Sequence, residues 1–381
     1  MKNFPIYRNS ILFCVILILL GCNYEKENFS NWFTSNYYYP TKITPETKSK
    51  HYFTFNSNSL KIDSIYRSMQ GPYNIATTNI ENDPNELIWI TGYSCILTNN
   101  KMDSLLPYDF MCHNNLNILN KTEIPWSVKT KGTDIRLFTL SQGQTKIKLP
   151  NGFGIPMPAN HPIQIMSQVL NHNILNPDYS IKHKVKLEYV KQSEIKNPLK
   201  PLYTQTLFIT KQTSGPAGEY GLPLSCIEHN KIDSNNSSYK YAHNCEINYE
   251  GENYNPYKDE YGRVFTGHWN IDHKIEEVST NVTQMLNLTS DSKIHFISVH
   301  LHPFATSLVL RDITLDSTLF KAKAYNYQNK IGLKSIDYYS SKEGINLYSN
   351  HQYHLISSYN CLDTNNIHTA MATMVLYLSD Y

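Results

Sequence analysis

The sequence predicts an all-β protein made of two tandem antiparallel, jelly-roll-like β-sandwiches. Short alternating segments rich in β-branched and aromatic residues recur through most of the 381 residues. Turn chemistry such as Gln142-Gly143-Gln144 and Pro150-Asn151-Gly152 separates them. Helical periodicity is nearly absent; Ser279–Leu286 alone reads as a helical turn or two. A chain of this length has room for about two ordinary domains, and no repeat of solenoid or propeller spacing organises it otherwise.

Taken in order, residues 1–21 read as an export signal. Lys2 and Arg8 supply positive charge, and Ile11–Leu20 is an apolar run of signal length, too short to span a bilayer. It ends in Leu19-Leu20-Gly21-Cys22, which resembles a bacterial lipobox. That resemblance implies cleavage before Cys22, lipidation of Cys22 and attachment to a membrane through the lipid. Asn23, rather than Asp, at the next position implies an outer-membrane lipoprotein, on the periplasmic or surface face. Residues 22–50 are polar and Tyr/Asn-rich, and read as a tether.

Residues 51–197 are expected to form the first sandwich. Ile88–Ile96, Asp134–Leu140, Thr145–Leu149, Pro162–Leu170 and Lys184–Val190 read as strands. Residues 198–381 are expected to form the second, from Thr204–Thr210, Lys293–Leu301, Ser307–Arg311, His351–Tyr359 and Ala370–Leu378. Between them, 211–263 is the least regular stretch, holding Gly215, Pro216, Gly218, Gly221 and Pro223 and then a Ser/Asn/Tyr run.

Composition narrows the function classes. The chain is 40% hydrophobic and 17% charged, so it can build cores, and its net charge of +2 is too balanced for a nucleic-acid binder. No Gly-rich phosphate loop is present. A monomer is expected. Of seven cysteines, Cys14 leaves with the signal and Cys22 carries the lipid, so an odd number remains in an oxidising compartment. Cys226 and Cys245 flank a polar loop and are the first candidate disulfide pair. Cys95 with Cys112 is the second, which leaves Cys361 free. No CxxC spacing points to a zinc ribbon or thioredoxin chemistry.

The most informative residues are His300, His302 and Met371. In a strand, side chains alternate between faces, so His300 and His302 point the same way, about 7 Å apart. Ile297, Val299 and Leu301 form the expected core face, which leaves Ser298, His300 and His302 off the core, and Pro303 ends the ladder. In Thr369–Leu378, Ala372, Met374, Leu376 and Leu378 form the expected core face, and Met371 lies on the other with Thr373 and Tyr377. Two imidazoles and a thioether make a donor set suited to Cu(I). His268, His273 and His295 read as histidines satisfied by hydrogen bonds.

Val299-His300-Leu301-His302-Pro303, followed some seventy residues later by Met371-Ala372, resembles the second copper site of the copper type II, ascorbate-dependent monooxygenases. That family includes the peptidylglycine-hydroxylating and dopamine β-type enzymes. The likeness is closer to a secreted bacterial branch and runs from about Leu87 onward. It implies two jelly-roll-like sandwiches, each with one copper, facing across a solvent-filled cleft. It implies that His300, His302 and Met371 hold the catalytic copper, where dioxygen would be activated and a C–H bond hydroxylated. Ascorbate or another small reductant would supply electrons.

The first copper site departs from the family pattern. Phe110-Met111-Cys112-His113-Asn114-Asn115 offers His113, with Asn114 where a second histidine is expected. In Gln168-Val169-Leu170-Asn171-His172 the pattern's histidine falls at Leu170, and His172 lies two residues on; His161 is a further candidate. His113 and His172 are therefore the expected first-site ligands, with one or two copper ions in all. Ser298 stands where the peptide-amidating branch has an arginine, so the substrate, small molecule or peptide, is left open. Two other readings stay open beside the enzyme: a non-catalytic copper-binding or sequestering surface lipoprotein, and a plain β-sandwich interaction module.

Overall fold

The computed structural model describes residues 50–130, 135–212, 254–271, 274–361, 363 and 366–380. Cys22, Cys226, Cys245 and His273 lie outside the described residues. The described strands all fall within one compact unit, Lys42–Tyr381.

The first half holds β1 (His51–Asn56), β2 (Leu60–Ile62), β3 (Tyr73–Thr78), β4 (Leu87–Asn99), β5 (Leu105–Leu106) and β6 (Met111–Ile118). It continues through β7 (Ile135–Ser141), β8 (Lys146–Lys148), β9 (Phe153–Pro158), β10 (Ile163–Val169), β11 (Tyr179–Lys191) and β12 (Lys200–Pro201). One sheet runs β1-β11-β4-β9-β12, and the facing sheet runs β3-β10-β6-β7. Apart from the short parallel pair β9–β12, the ladders are antiparallel, and two of them join strands distant in sequence, β4 with β11 and β3 with β10. This is a β-sandwich. Its two sheets meet at Tyr93, which stacks on Phe138 at 5.1 Å and donates its hydroxyl to Asn114 Oδ1.

The second half holds β13 (Tyr203–Phe208), β14 (Lys211–Gln212), β15 (Phe265–Thr266), β16 (Trp269–Asn270), β17 (Ile275–Asn281) and β18 (Ser292–Leu301). It ends with β19 (Ala305–Asp312), β20 (Ser317–Asn326), β21 (Leu333–Ile336), β22 (Tyr339–Leu347), β23 (Tyr353–Asn360), β24 (Thr369–Ala370) and β25 (Ala372–Asp380). Its main sheets run β13-β25-β18-β22 and β17-β23-β19-β20-β21. The change of partner falls at Leu202: Pro201 pairs with Gly154 in the first half, and Tyr203 with Leu378 in the second. The helical turn expected over Ser279–Leu286 is shorter, α1 (Thr283–Leu286), because Ser279 is still in β17.

The faces of β18 and β25 correct one expectation. The residues off the core were expected to be open, yet β18 is buried over nearly its whole length and β25 from Ala372 to Leu378. One side of these strands faces their own sandwich, and the other packs against β7 of the first. Tyr377 donates its hydroxyl to the Leu137 carbonyl at 2.7 Å, Thr204 Oγ1 donates to the Arg136 carbonyl at 3.0 Å, and the Val299 N–H donates to Gln144 Oε1 at 3.0 Å. Leu137 is the bulged residue of β7, skipped where the β6–β7 register shifts, so its carbonyl is free to accept from Tyr377.

At the rim of the contact, Lys129 Nζ pairs with Asp380 at 2.6 Å, and Lys330 pairs with Asp109. Gly143, in the turn after β7, has φ +84°, and a Cβ there would lie 2.8 Å from Ile336 Cγ1. That turn therefore requires glycine both for its backbone and for the approach of the second sandwich.

The Cys95–Cys112 disulfide is also corrected. Cys95 and Cys361 are buried free thiols, and Cys112 is buried and not bonded to Cys95. Cys95 lies on β4 and Cys112 on β6, in different sheets. Cys112 Sγ instead packs 4.0 Å from Met69 Sδ, in a buried cluster with Leu170.

Candidate metal site

The register between β18 and β25 brings the three expected second-site residues together. His300 lies opposite Thr373 and Leu301 opposite Ala372, and the His302 N–H donates to the Met371 carbonyl at 3.2 Å. Directly opposed residues of an antiparallel pair project to the same side. His300, His302, Met371 and Thr373 therefore share one face at the end of the sheet, and that face is roofed by the first sandwich. His300 is 5% exposed, His302 2% and Met371 9%.

The His300 and His302 rings are perpendicular, with centroids 5.5 Å apart. With metal–nitrogen bonds of about 2.0–2.1 Å, two imidazoles sharing an ion have centroids roughly 5–6.5 Å apart, so the pair needs no large movement to share one. His302 Nδ1 lies 3.1 Å from the Thr369 carbonyl. A carbonyl can only accept, so Nδ1 carries the proton and Nε2 carries the lone pair. His302 Nε2 and His300 Nδ1 are buried without a hydrogen-bond partner. A backbone carbonyl fixing one ring nitrogen while the other is held dry and bare is how protein frameworks orient metal-binding imidazoles. These residues fit a soft cation.

Electrostatics keep the donors neutral. Burial pushes His300 down to about 3, with His268 and Arg136 adding to the drop. Burial, then His300 and His268, holds His302 well below the usual histidine range against the opposing Thr369 hydrogen bond. Unprotonated imidazole is the ligand form.

The expected first-site pair is not assembled. His113, on β6, is 3% exposed and lies against His300, with ring centroids 6.4 Å apart. Its Nε2 is 3.4 Å from Met166 Sδ, and burial, then His300, pushes it well below the usual range. His172 is half-buried, and its Nε2 is 3.4 Å from Ser68 Oγ. Burial, then His368 and Arg67, lowers it to about 4. Among the described residues, no ring contact or hydrogen bond joins His113 to His172. Nor does a solvent-filled cleft separate His113 from His300, since both are buried in one packed junction. His161 is engaged elsewhere, with the Leu119 carbonyl at 2.6 Å and Glu123 at 3.3 Å. His295 bridges the Ser341 carbonyl and Ser379 Oγ at 3.1 and 3.0 Å, as expected of a structural histidine.

Two neighbours went unmarked in the sequence. His268, read there as structural, is 1% exposed, and its ring centroid is 5.9 Å from that of His302. Met69 lies far away in sequence, and no spacing rule points to it. It lines the same small cavity as His113, His300 and Met371. Among the described residues no group of three or more His, Cys, Asp or Glu side chains forms a ready-made metal cage.

No family model matches the chain, and no curated protein matches it. Among solved structures, a peptide-N(4)-(N-acetyl-β-D-glucosaminyl)asparagine amidase is similar at 8% identity and TM-score 0.34, covering 86% of this chain and 97% of that one. PNGase F, a glycosylasparaginase from Flavobacterium meningosepticum, is similar at 10% identity and TM-score 0.34, with the same coverage. The Macrobrachium rosenbergii nodavirus follows at 7% identity and TM-score 0.14, covering 88% of this chain and 92% of that one. Likenesses this distant carry no conclusion about activity.

Proposed function

We propose that the chain is a copper-binding protein that holds Cu(I) through His300, His302 and Met371. The observation that carries this reading is the His302 ring: Nδ1 is committed to the Thr369 carbonyl, Nε2 is bare and buried, and the ring centroid lies 5.5 Å from that of His300. Two imidazoles with a thioether favour the cuprous state, and such an ion, when bound, can carry one electron. His300 and His302 supply neutral nitrogen, Met371 supplies soft sulfur, and the overlying first sandwich keeps water out. We read the protein as anchored through Cys22, so that copper is held at a membrane surface on the exported side.

Binding without turnover is favoured over monooxygenation. The cavity at Met371 is about 10 Å³, room for a single water or ion but not for an organic substrate. The test is copper stoichiometry and Cu(I) affinity of residues 23–381, paired with His302→Ala and with oxygen consumption in the presence of ascorbate. The expected result is tight Cu(I) binding that falls by at least the roughly 10–100-fold seen on losing outer-shell partners of metal ligands, without substrate-coupled oxygen uptake. Coupled uptake would restore the monooxygenase reading. Equal affinity in His302→Ala would refute the site.

A further inference from the structure

The cavity beside Met371 is built by both sandwiches. Its walls include Met69 and His113 from the first half, His300 and Met371 from the second, and Arg136. We infer that Met69 and His113 join His300 and Met371 as the donors around this cavity, so that one soft monovalent cation, Cu(I) or Ag(I), is held between the two sandwiches and clamps them together. This rests on the reading of His300 and Met371 as ligands and extends it across the junction.

Four observations converge on it. Two imidazoles and two thioethers line a cavity of about 10 Å³, the size that admits one ion. The His113 and His300 rings meet edge to face at 6.4 Å, the wide end of the separation two rings can have around a shared ion. His113 Nε2 is turned to Met166 Sδ, which leaves Nδ1 as its donor nitrogen. Several polar atoms of the cavity walls, His300 Nδ1, Asn115 Oδ1, Thr139 Oγ1 and Thr373 Oγ1, are buried without a hydrogen-bond partner. Such a cluster calls for an occupant.

Met69 is held in place at a cost. Its φ is +71°, a conformation uncommon outside glycine and strained for a long side chain. Two contacts pin the loop there. The Met69 N–H meets Cys112 Sγ at 3.4 Å, and Gly71 passes so close to β10 that a Cβ would lie 1.9 Å from the Val169 carbonyl oxygen.

The walls also select for charge. Among the described residues, the lining contains no carboxylate, while Arg136 contributes a positive charge. Repulsion from that guanidinium is twice as large for a divalent ion as for a monovalent one at the same distance. Thioethers add a preference for soft metals. The site should therefore take Cu(I) and Ag(I) ahead of Zn(II).

The test uses selenomethionine-labelled protein, with Cu(I) and Ag(I) as probes, a competing chromophoric chelator for affinity, and X-ray absorption for the donors. Selenium scattering separates thioether ligands from cysteine thiols. The expected result is one ion per chain with two selenium neighbours, falling to one in Met69→Leu. Met69→Leu and His113→Ala should each weaken binding at least tenfold, with Zn(II) binding more weakly than Ag(I). Met69→Leu conserves volume and carries the test alone if His113→Ala does not fold. One selenium neighbour in the parent protein, with affinity in Met69→Leu unchanged within twofold, overturns the clamp. If His302→Ala still abolishes binding in that case, the simpler site survives. Absence of monovalent-ion binding by the parent protein overturns both.

Discussion

Replacing Tyr377 by Phe should loosen the junction that roofs the metal donors. Tyr377 is fully buried, and burial holds its phenol far above the usual range, so it is a neutral donor at every working pH. Its hydroxyl meets the carbonyl of Leu137, the residue skipped in the β6–β7 ladder. The variant keeps the ring but strands that carbonyl in a dry interface. Leaving a buried acceptor unsatisfied costs about 1–3 kcal/mol. Equilibrium urea unfolding, followed by tryptophan fluorescence and far-ultraviolet circular dichroism, measures the loss. The stability of the second sandwich should fall by that amount with an unchanged urea slope. Thr204→Val, which strands the adjacent Arg136 carbonyl, should act in the same direction. The two should couple, because both bonds end on one irregular stretch of β7. A Tyr377→Phe loss below about 0.3 kcal/mol, well under the cost of a stranded carbonyl, would refute the assignment of this bond to the interface.

Two further outcomes follow from the same structure. His183 is fully buried, and burial holds its pKa at about 3. Unfolding releases it to the ordinary value near 6.5, so the unfolded chain binds the extra proton below that pH. The contribution is complete above pH 6.5 and is lost as the pH falls toward 3, amounting to about 2 kcal/mol between pH 7 and pH 5. His183→Leu should flatten the measured decline by that amount, and an unchanged slope would show that the ring is not held neutral. The thiols of Cys95 and Cys112 should resist alkylation in the native protein and react fully in guanidinium, read by peptide mass spectrometry. Burial alone pushes the Cys95 thiol up. A peptide pair linked by Cys95–Cys112 would contradict the placement of these two residues in different sheets.

The β class was legible because period-2 alternation is a direct record of which side of a strand meets the core. His300 and His302 could be placed on one face for the same reason, and Met371 off the Met374 face. What alternation does not encode is the nature of the second medium. A polar face opposite a core reads the same whether it meets water or another domain, so the burial of Ser298, His300 and His302 was invisible. Register was equally hidden. Nothing in Thr369-Ala370-Met371 says that it will lie opposite His302. Cys95 and Cys112 looked pairable because sequence distance is blind to the layer each strand joins. Met69 gave no signal beyond its nearness to Gly71. Its place depends on a loop conformation fixed by Cys112 and Val169, both far along the chain.

The strand that carries the centre of the second sandwich is also the last one described. β25 lies between β13 and β18, so its sheet cannot close until residue 380 is in hand. The first sandwich is under no such constraint, since its final strand ends at Pro201. During synthesis or passage across a membrane, the first half can fold early, while β13 and β18 must wait with a gap between them. Loss of residues 372–380 would remove a strand from the middle of a sheet rather than from its edge. A chain interrupted there would keep His300, His302 and Met371 in sequence but have no ladder to align them. Quality control that tests whether the second sandwich has closed would in effect test whether the metal donors have been brought together.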